Sequence, residues 1–163
     1  MSEHFSLNYF GSEITATSLG LSSIPEQERT ITAHVIAMDD TGKMVAVDIT
    51  GRGTDVPGGH LDGGETAVQA VIRETFEEAK VTIDEPILID VLELKSDDAR
   101  IGLTAKPYLL LYAATIDQVH TFEPTDEVSR RLFLTPDEFV EQYFADKKFA
   151  KLMVNLANVA LSR

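Results

Sequence analysis

Three glutamates, Glu74, Glu77 and Glu78, stand three and four residues apart in a stretch without glycine or proline. Residues at those spacings share one face of a helix. At about 100° per residue they fall within an arc of about 100°. Carboxylates held so close repel one another unless positive charge lies among them. Arg73, four residues before Glu77, can supply it from the flank. A hard divalent cation can supply it too, since Mg²⁺ takes oxygen ligands and usually keeps waters and substrate phosphate oxygens. By itself the cluster is equally compatible with a solvated acidic helix face.

The preceding loop shifts that balance. Pro57, Gly58, Gly59, Gly63 and Gly64 crowd a strongly bent segment leading straight into the helix. Glycines let backbone carbonyls and amides approach a ligand without Cβ obstruction. Arg52 precedes the loop and can contact a phosphate, and His60 lies within it near the ligand site, so both are candidate substrate contacts. A surface position is the plainer reading for Arg52. His34, in an apolar strand, reads as a satisfied core residue, and no second histidine stands at metal spacing. Tyr108, Tyr112 and Phe133 can stack on a base, although strand aromatics are more often core.

Residues 59–81, GHLDGGETAVQAVIRETFEEAKV, resemble the Nudix box: Gly, five residues, Glu, seven residues, Arg-Glu, two residues, Glu-Glu. Gly59, Glu65, Arg73, Glu74, Glu77 and Glu78 stand at the required offsets. Six such matches arise by chance on the order of once in 10⁵ chains of this length. The flanking strand order and Asp126–Phe139 (DEVSRRLFLTPDEF) are also similar to the family, so the likeness spans about residues 30–144.

The resemblance implies an α/β fold, a Nudix-like α/β/α sandwich with a mixed β-sheet. It also implies a Mg²⁺- or Mn²⁺-dependent hydrolase of nucleoside diphosphates linked to another group. By residue-wise correspondence, Glu74 and Glu78 match the principal metal ligands, and Glu77 is a further ligand or the base. Arg73 would orient Glu77, and the carbonyl of Gly58 or Gly59 could complete the site. Family members often draw the general base from outside the box, which makes Glu127 and Glu123 candidates. Two positions depart from the pattern: Thr75 replaces an aliphatic residue, and Lys80 replaces a glycine. Thr75 can bond its hydroxyl back to the helix. Lys80 stands where a left-handed helix end is expected, at roughly 1 kcal/mol for a lysine, so a strained or reshaped end is expected. A non-catalytic Nudix-fold nucleotide-binding or regulatory domain is the alternative, followed by an acidic structural protein. The auxiliary patterns of NADH, coenzyme A, diadenosine polyphosphate and ADP-ribose subfamilies are not evident, so the substrate stays open.

The elements that must position these residues read as follows. Residues 1–29 are expected to form a short strand or an arm packed on the body. Residues 31–38 and 44–49 form a hairpin across the turn at Asp39–Gly42. A helix runs from Thr66 to Ala79, opened by a Thr66/Gln69 capping box, with Val68, Ile72, Thr75 and Ala79 as its core face. Strands follow at 87–94 and 107–116, joined by a polar segment around Ser96-Asp97-Asp98. Helices at 136–144 and 147–161 finish the chain, the second with an apolar stripe of Phe149, Leu152, Met153, Leu156, Val159 and Ala160.

Composition bounds the remaining classes. The chain has 163 residues, of which 44% are hydrophobic and 25% charged, and it has no cysteine. One domain spanning residues 1–163 is expected. Disulfides, thiolate metal sites and cysteine nucleophiles are excluded. Neither a run long enough to span a membrane nor a secretory start is present, and a cytoplasmic location is expected. The net charge of −13 repels nucleic-acid backbone and anionic lipid. A small nucleotide remains a reasonable partner if a cation sits between its phosphates and the carboxylates. A homodimer stays open.

Overall fold

The computed structural model describes residues 3–9, 12–22, 24–25, 30–97 and 108–162. Ten strands form one mixed sheet. Its continuous path runs β1 (His4–Tyr9), β2 (Ser12–Ser18), β8 (Ile87–Lys95), β9 (Tyr108–Val119), β3 (Thr30–Met38), β4 (Met44–Ile49) and β10 (Val128–Leu134). Three short strands hang off it: β5 (Gly53–Asp55) on β4, β6 (Gly58–Gly59) on β3, and β7 (Val81–Ile83) on β9. Strands β3 and β9 run parallel, with His34 opposite Leu111 and Val35 opposite Tyr112. The remaining pairs are antiparallel.

The period of two along β3 builds a layer on each face. Ala33 and Val35 pack with Ala67 and Val71 of α1 (Ala67–Ala79). Ile36 and Met38 turn the other way, onto α2 (Pro136–Gln142) and α3 (Lys147–Leu161), with Phe139, Phe149 and Met153. The result is the expected α/β/α sandwich. Truncating a side chain as deeply buried as Phe139 would cost about 3–5 kcal/mol.

Several elements differ from expectation. The N-terminal arm is a complete hairpin, β1–β2, and β2 pairs with β8 from Thr15–Lys95 to Ser18–Leu92. The Ser6 amide donates to Asp146 Oδ2 at 3.1 Å, and Asp146 caps α3. Strand β9 extends to Val119, while Pro107 and Asp98 lie outside the described residues. The strands β5, β6, β7 and β10 were not read from the sequence. The apolar stripe of α3 is core at Phe149, Met153 and Ala160, but Val159 is 70% exposed. Ala150, Val154 and Ala157 complete the buried face instead.

Helix α1 opens as expected. Thr66 accepts from the Gln69 amide at 3.1 Å, and the Gln69 side chain accepts from the Thr66 amide at 2.9 Å. Its buried face is Ala67, Ala70, Val71, Thr75 and Ala79. Ile72, expected inside, is 43% exposed. Small residues at 67, 70 and 79 let the helix lie close to the sheet, which turns the bulkier Ile72 and Phe76 outward. Thr75 is buried and donates its hydroxyl to the Val71 carbonyl at 2.6 Å. At the C-terminus Lys80 adopts φ 55°, ψ 43°, the only left-handed non-glycine among the described residues.

Candidate active site

Helix α1 presents its polar face to the glycine loop, and Arg73 organises that meeting. Its Nε donates to Glu65 Oε2 at 2.8 Å and its Nη2 to Glu65 Oε1 at 3.0 Å, a two-point grip on the loop's acidic residue. Its Nη1 donates to Glu74 Oε1 at 3.0 Å and to Glu77 Oε2 at 3.1 Å. A further bond from Nη2 reaches the His60 carbonyl at 3.2 Å. The bonds to Glu65 and Glu74, opposed by partial burial, hold the guanidinium above its usual pKa.

Glu78 is held separately. The Gly58 amide donates to its Oε1 at 2.9 Å. Burial pushes its carboxyl up to about 8; the Gly58 bond and Arg52 oppose the shift, while Glu74 and Asp55 add to it. Burial also raises Glu74, with Arg73 opposing and the charges of Glu77 and Glu127 adding. The glutamates thus do not form a closed cage. Among the described residues no group of three acidic or histidine side chains converges as a ready cation site. Arg73 gathers two of the three carboxylates, and a backbone amide holds the third.

The glycines are required by close approach. A Cβ on Gly59 would meet Glu74 Oε1 at 2.7 Å, and one on Gly58 would meet the Ala33 carbonyl oxygen at 2.5 Å. The Gly59 carbonyl accepts from Thr32 Oγ1 at 2.9 Å, and Gly59 pairs with Ala33 of β3.

Other sequence candidates separate here. Glu127 is exposed but near enough to Glu74 for its charge to be felt. Glu123 is also exposed, and no described contact ties its side chain to the α1 glutamates. His60 is exposed and meets Arg73 through its backbone. Arg52 turns into the loop: its Nη1 donates to Asp55 Oδ2 at 3.2 Å, and its guanidinium lies 5.8 Å from the Phe144 ring. His34 is buried, as expected. Burial, with Arg52 and His60 adding, pushes its imidazole down to about 3, against a bond to the Val56 backbone. Tyr112 is buried in the core.

Asp55 was not singled out in the sequence. It is 2% exposed and accepts from the Val56 amide at 2.7 Å. Burial raises its carboxyl to about 6, against the charge of Arg52 and the Val56 bond. The available signal was Arg52 three residues earlier, a spacing that reads as an ion pair only once the loop's bend is known.

Residues 28–155 match the NUDIX domain family. The chain belongs to that family. Among solved structures, the Nudix chain is similar to the Bacillus subtilis pyrophosphohydrolase BsRppH, with 14% identity, TM-score 0.69, and coverage of 96% of this chain and 95% of that one. It is also similar to a C. elegans Ap4A hydrolase in a binary complex (17% identity, TM-score 0.57, coverage 80% and 98%). A third is an ADP-ribose pyrophosphatase from Streptococcus suis (17% identity, TM-score 0.56, coverage 83% and 92%). These likenesses are of fold. A search of curated proteins returned no match.

Proposed function

We propose that this chain is a divalent-cation-dependent pyrophosphohydrolase acting on a nucleoside diphosphate linked to a second moiety: a nucleotide sugar, a dinucleotide or a (d)NTP. One observation carries the reading. Arg73 joins Glu65, Glu74 and Glu77 in one network, while the adjoining Gly58 amide holds Glu78. A solvated acidic face needs neither the grip on Glu65 nor a loop pressed against two of its carboxylates.

The residues suit Mg²⁺ or Mn²⁺. Every donor is an oxygen, as hard cations require. Glu78 feels the charge of Glu74, and both carboxylates lie partly out of water, at a cost that a cation shared by them would remove. Gly59 leaves the space a Cβ would fill beside Glu74.

Glu74 and Glu78 would hold the metal, with the Gly58 or Gly59 carbonyl and Glu77 as further donors. When bound, the metal polarises the pyrophosphate and lowers the pKa of a coordinated water. Arg73 fixes Glu65, Glu74 and Glu77 so that little ordering remains when substrate arrives. Glu127, in the loop before β10, makes its charge felt at Glu74 and would take the water's proton; Glu77 is the second choice and Glu123 the third. His60, exposed at the loop, would meet substrate. Arg52 would act from beneath, through Asp55.

The names of the similar structures, a pyrophosphohydrolase, an Ap4A hydrolase and an ADP-ribose pyrophosphatase, support the reaction class. Among the described residues no helix is long and apolar enough to cross a membrane, and we place the enzyme in the cytoplasm as a single Nudix domain. The test is release of phosphate or nucleotide from a panel of nucleotide sugars, dinucleotides and (d)NTPs. Turnover is expected with Mg²⁺ or Mn²⁺ and at alkaline pH. Full turnover in excess EDTA would overturn the reading.

A further inference from the structure

We propose that Asp55 is a positioning residue for Glu78: from beneath the glycine loop it fixes the segment whose Gly58 amide holds the Glu78 carboxylate. The inference rests on the metal-dependent reading above.

Four contacts fasten this segment. Asp55 accepts from the Val56 amide at 2.7 Å through Oδ1 and from Arg52 at 3.2 Å through Oδ2. The His34 ring bonds the Val56 backbone carbonyl. The Val35 amide donates to the Pro57 carbonyl at 3.0 Å. Beyond them the Gly58 amide meets Glu78. The Phe144 amide donates to the Thr54 carbonyl at 3.0 Å, and Arg52 lies over the Phe144 ring, so the segment is also tied to the α2–α3 junction.

A carboxylate is an expensive way to fill a place on β5 opposite Val47. A hydrocarbon there would not bind Arg52 and the Val56 amide together, which Asp55 does. The space between His34, Asp55, Tyr143 and Met153 is ≈ 10 Å³, room for about one water. Few waters could replace the clamp if it were cut.

The experiment measures binding of Mn²⁺ alone, by the electron paramagnetic resonance of the free ion, with kcat and KM in parallel. Asp55→Ala removes the clamp. Asp55→Glu keeps the charge but displaces both acceptors, and Asp55→Asn keeps the acceptor for Val56 but sets an amide donor against Arg52. Expected is a loss of about tenfold in Mn²⁺ affinity for the Ala and Glu variants, with Asn losing less than either. KM at saturating metal should stay constant. Leu7→Ala, which truncates a buried residue of the remote N-terminal hairpin, controls for lowered stability and should bind Mn²⁺ normally.

The proposal is overturned if all Asp55 variants bind as wild type, or if Glu retains affinity and Asn loses it. Should the Ala variant not fold, the order of Glu and Asn decides alone. Glu78→Gln separates the two readings. If it leaves Mn²⁺ binding intact, the metal site itself is misassigned. If it abolishes binding while the Asp55 variants do not, only the role of Asp55 falls.

Discussion

Gly59 and Glu74 are pressed together so closely that a methyl group on Gly59 would lie 2.7 Å from Glu74 Oε1 and 2.8 Å from its Cδ. The atoms in the way are the far end of a flexible side chain, not backbone. Gly59→Ala should therefore move the carboxylate without breaking the fold. The expected result is a fall in kcat of about 10–100-fold, as for a disturbed metal ligand, with a urea midpoint near wild type. Wild-type turnover would show that Glu74 does not work where it stands.

The buried state of Glu78 gives a pH-dependent stability in metal-free protein. Its carboxyl rises from an ordinary 4.5 to about 8 on folding, so the native state binds more protons than the unfolded one between those values. Stability from this group is present below pH 4.5 and is lost as pH rises through about 8, at no more than about 1.4 kcal/mol per unit. Glu78→Gln should flatten that decline in EDTA and hold or raise stability at pH 8. It should also lower kcat by orders of magnitude. Thermal melts across pH 5–9 check the first point; a wild-type curve parallel to that of Gln would refute it.

Glu127 and Glu123 look equivalent in sequence, four residues apart in one loop. Their surroundings differ, because only Glu127 contributes its charge at Glu74. Glu127→Gln should lower kcat by about 10²–10⁴-fold, the usual contribution of a general base, and alter the pH–rate profile. Glu123→Gln should leave both unchanged. Equal effects from the two would mean that neither is the base and would leave Glu77.

What could be read beforehand follows a physical divide. The α1 span, its capping box and the Arg73–Glu77 pair depend on contacts within four residues, and each is legible in one dimension. Strand β3 announced itself by its apolar run. The residues that were missed depend on the fold. Strand β10, VSRRLFL, hides its pairing with β4 behind Arg130 and Arg131, which are spent on Asp48 and on the carbonyls of Ala79 and His120. Gly53–Asp55 and Gly58–Gly59 are too short to show a period, yet they seat Asp55 where its charge reaches Glu78. Ile72 was misplaced because the wheel shows which residues share a face, while the sheet decides which face is buried. Arg73's grip on Glu65 crosses the helix N-terminus and was not read from the sequence, because eight residues separate the two and only the bend of the loop brings them together.

The end of α1 yields the last prediction. Lys80 sits at φ 55°, ψ 43°, where a lysine pays steric strain that glycine avoids. Its Nζ lies 5.3 Å from the Phe76 ring, and its charge stands at the negative end of the helix dipole, a favourable placement. Both are lost on replacement, and glycine adds freedom to the unfolded chain. The carbonyl of Ala79 is not at issue, because Arg131 Nη1 donates to it at 3.1 Å and remains. The strain is intrinsic to the backbone, whereas the ring contact and dipole act near solvent, where each contributes a few tenths to about 1 kcal/mol. Lys80→Gly should thus change stability by a net gain of roughly 0.5 kcal/mol, read as a small rise in the urea midpoint. Mn²⁺ affinity and kcat should not move, since Glu78 is anchored by Gly58 and not by the helix end. A clear loss of stability would mean that the lysine's contacts outweigh the strain of its left-handed backbone.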